Sequence, residues 1–186
     1  MVYLKIALLF SIWWFLWYAY NFILLPKKRS TEATPYLLGC IFIISSLTCL
    51  YIAFGPNMLI SLPGLAFVIA LSFVLTLVNK RETGRLLNSL FQITWLYSFT
   101  SFTGGNFWLL GLIFFAGHLP LFVVKHVGMP GKLLVLSFSF FGGFAIAFML
   151  VTLPYPFSIF AGIGLHYFTY MLVRPYDQKY KMNLIN

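Results

Sequence analysis

Residues 86–103 read Leu-Leu-Asn-Ser-Leu-Phe-Gln-Ile-Thr-Trp-Leu-Tyr-Ser-Phe-Thr-Ser-Phe-Thr, and the architecture of the chain turns on whether this stretch crosses a membrane. As an α-helix it would reach about 27 Å, close to the roughly 30 Å of a bilayer's hydrocarbon core. Asn88, Ser89, Gln92, Thr94, Ser98, Thr100, Ser101 and Thr103 make it too polar for hydropathy to decide. Charge decides instead. If the stretch spans, Lys27, Lys28, Arg29, Lys80, Arg81, Arg85, Lys125, Lys132, Arg174, Lys179 and Lys181 fall on one side and Lys5 alone on the other. If it does not, the later basic residues change sides. Cytoplasmic connections carry the excess of Lys and Arg, so the spanning reading is favoured, and its polar side chains are expected to face other helices.

Working outward, apolar runs at 6–25, 36–54 and 58–78 precede this stretch, and runs at 107–124, 133–153 and 157–173 follow it. The expected fold is all-α: one transmembrane domain over residues 1–186, a polytopic bundle of about seven helices. Its N-terminus is expected outside and its C-terminus in the cytoplasm, in a cell membrane such as a bacterial inner or plasma membrane. The first run ends at Pro26 and a basic cluster with no small-residue cleavage site, which reads as a retained span. The second ends at Gly55-Pro56-Asn57, and the third carries Pro63-Gly64 near its start. A basic loop is expected at 79–85. The fifth run follows Gly104-Gly105-Asn106 and ends near Pro120, and the sixth contains Gly142-Gly143, which permits close helix contact. The seventh leads into a tail at Arg174-Pro175-Tyr176-Asp177. Trp13, Trp14, Trp17, Tyr18, Tyr20 and the many Phe residues are expected to face lipid and its interfaces.

Composition excludes most soluble functions. The chain is 61% hydrophobic and 8% charged with a mean hydropathy of +0.94, so its expected solvent is lipid. The formal charge of +9 comes from residues between apolar runs, not from a basic groove, and no nucleic acid partner is expected. Cys40 and Cys49 would stand about 14 Å apart along one helix and cannot pair. There is no CxxC pair, no Gly-rich phosphate loop, and no cofactor motif.

Chemistry centres on His118 and His166, ionisable residues inside apolar runs, where such groups are rare without a purpose. His118 stands seven residues before Lys125, and His166 eight before Arg174. Both imidazoles are thereby expected roughly 10 to 12 Å below the cytoplasmic boundary. Gln92, seven residues past Arg85 on a helix of opposite direction, reaches the same depth, with Asn88 one turn nearer the cytoplasm. The expected site is a cytoplasm-facing pocket of Asn88, Gln92, His118 and His166, with Glu82 and Arg85 at its mouth. Against it stands a plainer role for each polar residue, an interhelical hydrogen bond worth about 1 kcal/mol. His126 reads as a headgroup-level residue, and Glu82 could equally form a surface ion pair with Arg81 or Arg85.

The C-terminal part, about residues 80–173, resembles the CAAX-processing and bacteriocin-processing (CPBP) intramembrane protease family. Its second motif, FxxxH with a Leu-Pro-like step, resembles Phe114-Phe115-Ala116-Gly117-His118-Leu119-Pro120. Its third, a His late in a small-residue-rich helix, is similar to Gly162-Ile163-Gly164-Leu165-His166, after Phe141-Gly142-Gly143. The family's first motif has two adjacent glutamates with an arginine four residues after the second. Arg81-Glu82-Thr83-Gly84-Arg85 has one acid and a shorter spacing, and Tyr170 stands where the third motif usually has a polar residue. The resemblance implies an intramembrane hydrolase acting on a membrane-anchored peptide, with Glu82 activating water and His118 and His166 supporting transition-state charge. Other readings are a non-catalytic subunit or assembly protein packed against a larger membrane protein, and a haem protein with His118 and His166 as axial ligands, for which no CxxCH attachment site exists. A transporter lacks the expected inverted repeat.

Overall fold

The computed structural model describes residues 1–18, 34–60, 66, 80–123 and 128–180, and all regular structure among them is helical. In chain order the helices are α1 (Val2–Tyr18), α2 (Thr34–Phe54), α3 (Lys80–Ser98), a single turn α4 (Thr100–Thr103), α5 (Phe107–His118), α6 (Met129–Thr152) and α7 (Phe157–Tyr180). Short 3-10 segments follow α2 (Gly55–Ile60) and α5 (Leu119–Val123). Two stretches, Cys40–Asn57 and Met129–Thr152, are long and apolar enough to cross a membrane; Val2–Leu16, Phe107–Val123 and Phe157–Val173 are apolar but shorter. Most of the run expected at 58–78 lies outside the described residues.

Three boundaries differ from expectation. The basic segment at 79–85 is not a loop, since α3 is helical from Lys80. Lys, Arg and Glu are good helix formers, so the one Gly there, worth about 1 kcal/mol against helix, does not interrupt it. Helix α7 likewise runs through 174–177 to Tyr180 in place of a tail. Pro175 deprives it of one backbone hydrogen bond, not of its course. Helix α6 starts at Met129, where Gly128 is extended and Pro130 occupies the first turn, a position whose N–H has no intrahelical partner anyway.

The polar stretch lies at the centre of the bundle. Every residue from Ser89 to Leu96 is buried, as are Ser98 and Phe99, and α3 packs against α2 and α7 with smaller contacts to α5. Outward-facing positions are apolar instead: Phe141 is 73% exposed, Trp108 63% and Phe148 53%. Local hydrogen bonds make hydroxyls acceptable along these helices. Ser46 donates to the Phe42 carbonyl (2.8 Å) and Ser98 to that of Thr94 (2.9 Å), each one turn back in its own helix. Gly104 and Gly105, at φ of 58° and 76°, reverse the chain before α5, and the Asn106 side chain accepts the Leu109 N–H to cap it.

The aromatic residues only partly follow expectation. Trp14 is 46% exposed, but Trp13 is buried, as are Phe42, Phe91, Phe99 and Phe114. A buried indole N–H needs an acceptor, and both buried tryptophans find one. Trp13 Nε1–H donates to the Gly117 carbonyl of α5 (2.6 Å), and Trp95 Nε1–H of α3 donates to the Leu9 carbonyl of α1 (2.8 Å). Their ring centroids lie 4.3 Å apart. Two crossed indole bonds thus tie α1 to both α3 and α5. The Trp17 side chain and Tyr20 lie outside the described residues.

Candidate functional site

The site begins where α5 stops being an α-helix. Pro120 has no N–H to offer the Ala116 carbonyl, which accepts instead from Leu119 N–H one residue earlier, and the chain tightens into 3-10 geometry. The Gly117 carbonyl, next in line, is the one that Trp13 takes. At the last α-helical residue, the His118 ring folds back so that Nδ1 lies 2.9 Å from the Phe114 carbonyl. A carbonyl can only accept, so Nδ1 carries the proton and donates. The neutral ring's Nε2 is then a lone-pair nitrogen, with no hydrogen-bond partner among the described residues. The half-buried ring is held by Phe114 (4.7 Å between centroids) and Trp13 (5.4 Å).

His166 arrives from α7. Helices α3 and α7 run antiparallel, with Ser89 beside His166, Ile93 against Gly162 at 3.0 Å from a Cβ added there, and the Tyr97 ring tilted against that of Tyr155 just before α7. These four-residue steps are a ridge of α3 lying along α7, and the small residue at 162 lets it approach. Ser89 Oγ and His166 Nδ1 are 2.8 Å apart. The half-buried His166 ring meets Phe114 edge-on at 5.9 Å. One buried phenyl therefore touches both imidazoles. Phe114 is itself pinned by α6, because a Cβ added to Gly143 would lie 2.8 Å from its Cδ1.

The expected site residues fare as follows. His118 and His166 are neighbours across Phe114. The residue of α3 that meets an imidazole is Ser89; Gln92, one turn further, is buried with its Oε1 unpartnered among the described residues, and Asn88 is half-buried. Glu82 and Arg85 are helical residues of α3, and their side chains, like His126, lie outside the described residues. Glu82 stands seven residues before Ser89 on the same face, about 10 Å along the axis.

Sequence reading missed Ser89, Trp13 and Lys132 as site residues, and gave Phe114 only as the start of a motif. Ser89 is adjacent to Asn88 and three residues from Gln92, but which of the three faces α7 depends on helix register, and no single-chain pattern sets that. Lys132 counted only as a basic connection residue. It is buried in the first turn of α6, where Nζ donates to the Phe122 carbonyl (2.7 Å) and closes the carbonyl end of the segment after α5. Among the described residues no group of three or more His, Cys, Asp or Glu could hold a metal ion. Comparison of the chain with family models, curated proteins and solved structures returns no match.

Proposed function

We propose that this chain is a multi-pass integral protein of a cell membrane, with about seven spans and a cytoplasmic C-terminus. We further infer that its two imidazoles form the polar site of an intramembrane peptide hydrolase similar to the CPBP family but degenerate in its acidic motif. The observation that carries this reading is the meeting of His118 and His166, from two different helices, on the single ring of Phe114. The apolar outer surface supports a lipid setting, because side chains such as Phe141 and Phe148 would aggregate the protein in water. His118 leaves Nε2 as a base, and the low-dielectric surroundings make any proton it moves count for more than in water. The substrate class is a membrane-anchored peptide.

The test is hydrolysis of a quenched single-span peptide by the full chain in proteoliposomes. Wild-type protein is expected to cleave, and His118→Ala and His166→Ala to lose at least about a hundredfold in rate, the usual scale for a proton-transfer group. Cleavage no faster than in protein-free vesicles, or variants as fast as wild type, overturns it.

One observation favours a second reading, a non-catalytic subunit packed against a larger membrane protein. Each imidazole already has a partner inside the bundle, which is also what a structural histidine would show. Cross-linking in native membranes that captures one stoichiometric partner, from protein inert in the peptide assay, would establish it.

A further inference from the structure

We infer that Ser89 is the nucleophile of this site and His166 its general base. The proposal deepens the hydrolase reading and rests on it for its substrate, a peptide bond within the membrane. It starts from a vacancy in chemistry. The chain has a single acid in the segment that resembles the family's glutamate motif, and that acid stands about 10 Å along α3 from the histidine level. The group at hydrogen-bond distance from an imidazole is a serine hydroxyl.

The pairing is unusual among the hydroxyls of this molecule. Ser11, Ser46, Thr48, Ser98, Ser137 and Thr152 all bond the carbonyl one turn back in their own helix, a resting arrangement for hydroxyls in apolar surroundings. Ser89 instead reaches a side chain of another helix, and that side chain is an imidazole, whose neutral ring has a lone-pair nitrogen able to accept the hydroxyl proton. The Phe114 edge and the α3–α7 ridge hold the imidazole in place, so the pair is preorganised and needs no rotamer search. In the reactive tautomer Ser89 Oγ–H donates to Nδ1, and Nε2 carries the ring proton.

The steps balance without an added reagent. Ser89 Oγ bonds to the scissile carbonyl carbon while its proton passes to His166 Nδ1. The imidazolium returns that proton to the amide nitrogen as the C–N bond breaks, and the amine leaves. Water then attacks the Ser89 ester, giving a proton to His166 and a hydroxyl to the acyl group. The acid departs and Ser89 regains its proton from the ring. Ser89 is 2% exposed, so a peptide reaches it only as the helices around it part.

The test uses a small alkyl fluorophosphonate on the full-length protein in native membranes, read by mass spectrometry, together with the proteoliposome assay. The fluorophosphonate reports the nucleophile without knowledge of the substrate, as the Ser89 oxygen displaces fluoride. Label on Ser89 is expected, lost in Ser89→Ala and slowed at least a hundredfold in His166→Gln. That glutamine can keep a hydrogen bond to Ser89 but cannot accept its proton, so loss of labelling in a folded His166→Gln protein separates a base from a brace. Label elsewhere, or labelling of His166→Gln at the wild-type rate, overturns the proposal. Peptide hydrolysis by Ser89→Ala at the wild-type rate overturns it too, while leaving the hydrolase reading intact. Labelling of Ser89 in a protein inert towards peptides upholds the pair and removes the peptide hydrolase.

Discussion

Gly143 is where the geometry of the two histidines is most exposed to a single methyl group. A Cβ there would lie 2.8 Å from Phe114 Cδ1, 3.3 Å from Phe114 Cβ and 3.4 Å from the Gly111 carbonyl oxygen. Carbon atoms in ordinary contact sit about 3.5 to 4.0 Å apart, so Gly143→Ala creates an overlap of roughly 1 Å with the ring. Turning the ring about its own axis does not relieve it, because Phe114 Cβ and the α5 backbone are close as well. Helices α5 and α6 must part, and overpacking of this kind costs about 1 to 3 kcal/mol. The measurement is reversible unfolding in mixed micelles followed by tryptophan fluorescence, for wild type, Gly143→Ala, Phe114→Leu and the double variant. Leucine keeps δ-carbons but lacks the rest of the planar ring and can swing them aside, so the double variant is expected to recover at least about 0.5 kcal/mol relative to the sum of the singles. Gly164 supplies the control. A Cβ there meets nothing within 4 Å, so Gly164→Ala should be neutral or stabilise by up to about 1 kcal/mol, as Ala does for Gly within a helix. A Gly143→Ala protein as stable as wild type, or strict additivity in the double variant, would refute the argument that Phe114 is clamped between α5 and α6.

Three further outcomes follow from the same contacts. Trp13→Phe leaves the Gly117 carbonyl without its indole donor and is expected to destabilise by about 1 to 3 kcal/mol in the same unfolding assay, with Trp95→Phe similar through the Leu9 carbonyl; loss of less than 0.5 kcal/mol in both (a rough floor for such a bond) would sink the crossed-indole staple. Cys49 is fully buried and Cys40 exposed, so N-ethylmaleimide should modify one thiol of the folded, detergent-solubilised protein and both after denaturation in dodecyl sulfate, as counted by intact mass. Reporter fusions after Arg85 and after the last residue should both read as cytoplasmic if the stretch 86–103 spans, and as opposite sides if it does not.

How far the sequence carries can be judged from particular residues. Helix α6 was legible because an unbroken apolar run needs no knowledge of its neighbours, and the turn at Gly104-Gly105-Asn106 because backbone with positive φ requires such residues. The burial of α3 was legible for the opposite reason: a stretch that polar has no good place against an apolar exterior. Helix ends at 80 and 180 were not legible, since basic residues mark a connection by charge while favouring helix by propensity, and one signal masks the other. Within the site, a residue's level along its helix can be counted from sequence and its azimuth cannot. Counting 1.5 Å per residue from the basic ends brings His118, His166 and Gln92 roughly to one level. A step of one residue turns a side chain by about 100° on a helix, so choosing among Asn88, Ser89 and Gln92 needs the register of α3 on α7. That register comes from Gly162, which admits Ile93 and thereby sets Ser89, four residues earlier, against His166, four residues later. The glycine that resembled part of a family motif is, in physical terms, the spacing element that selects which polar residue of α3 the histidine meets. A side chain larger than Ala at 162 should therefore lengthen the Ser89–His166 contact before it touches either residue.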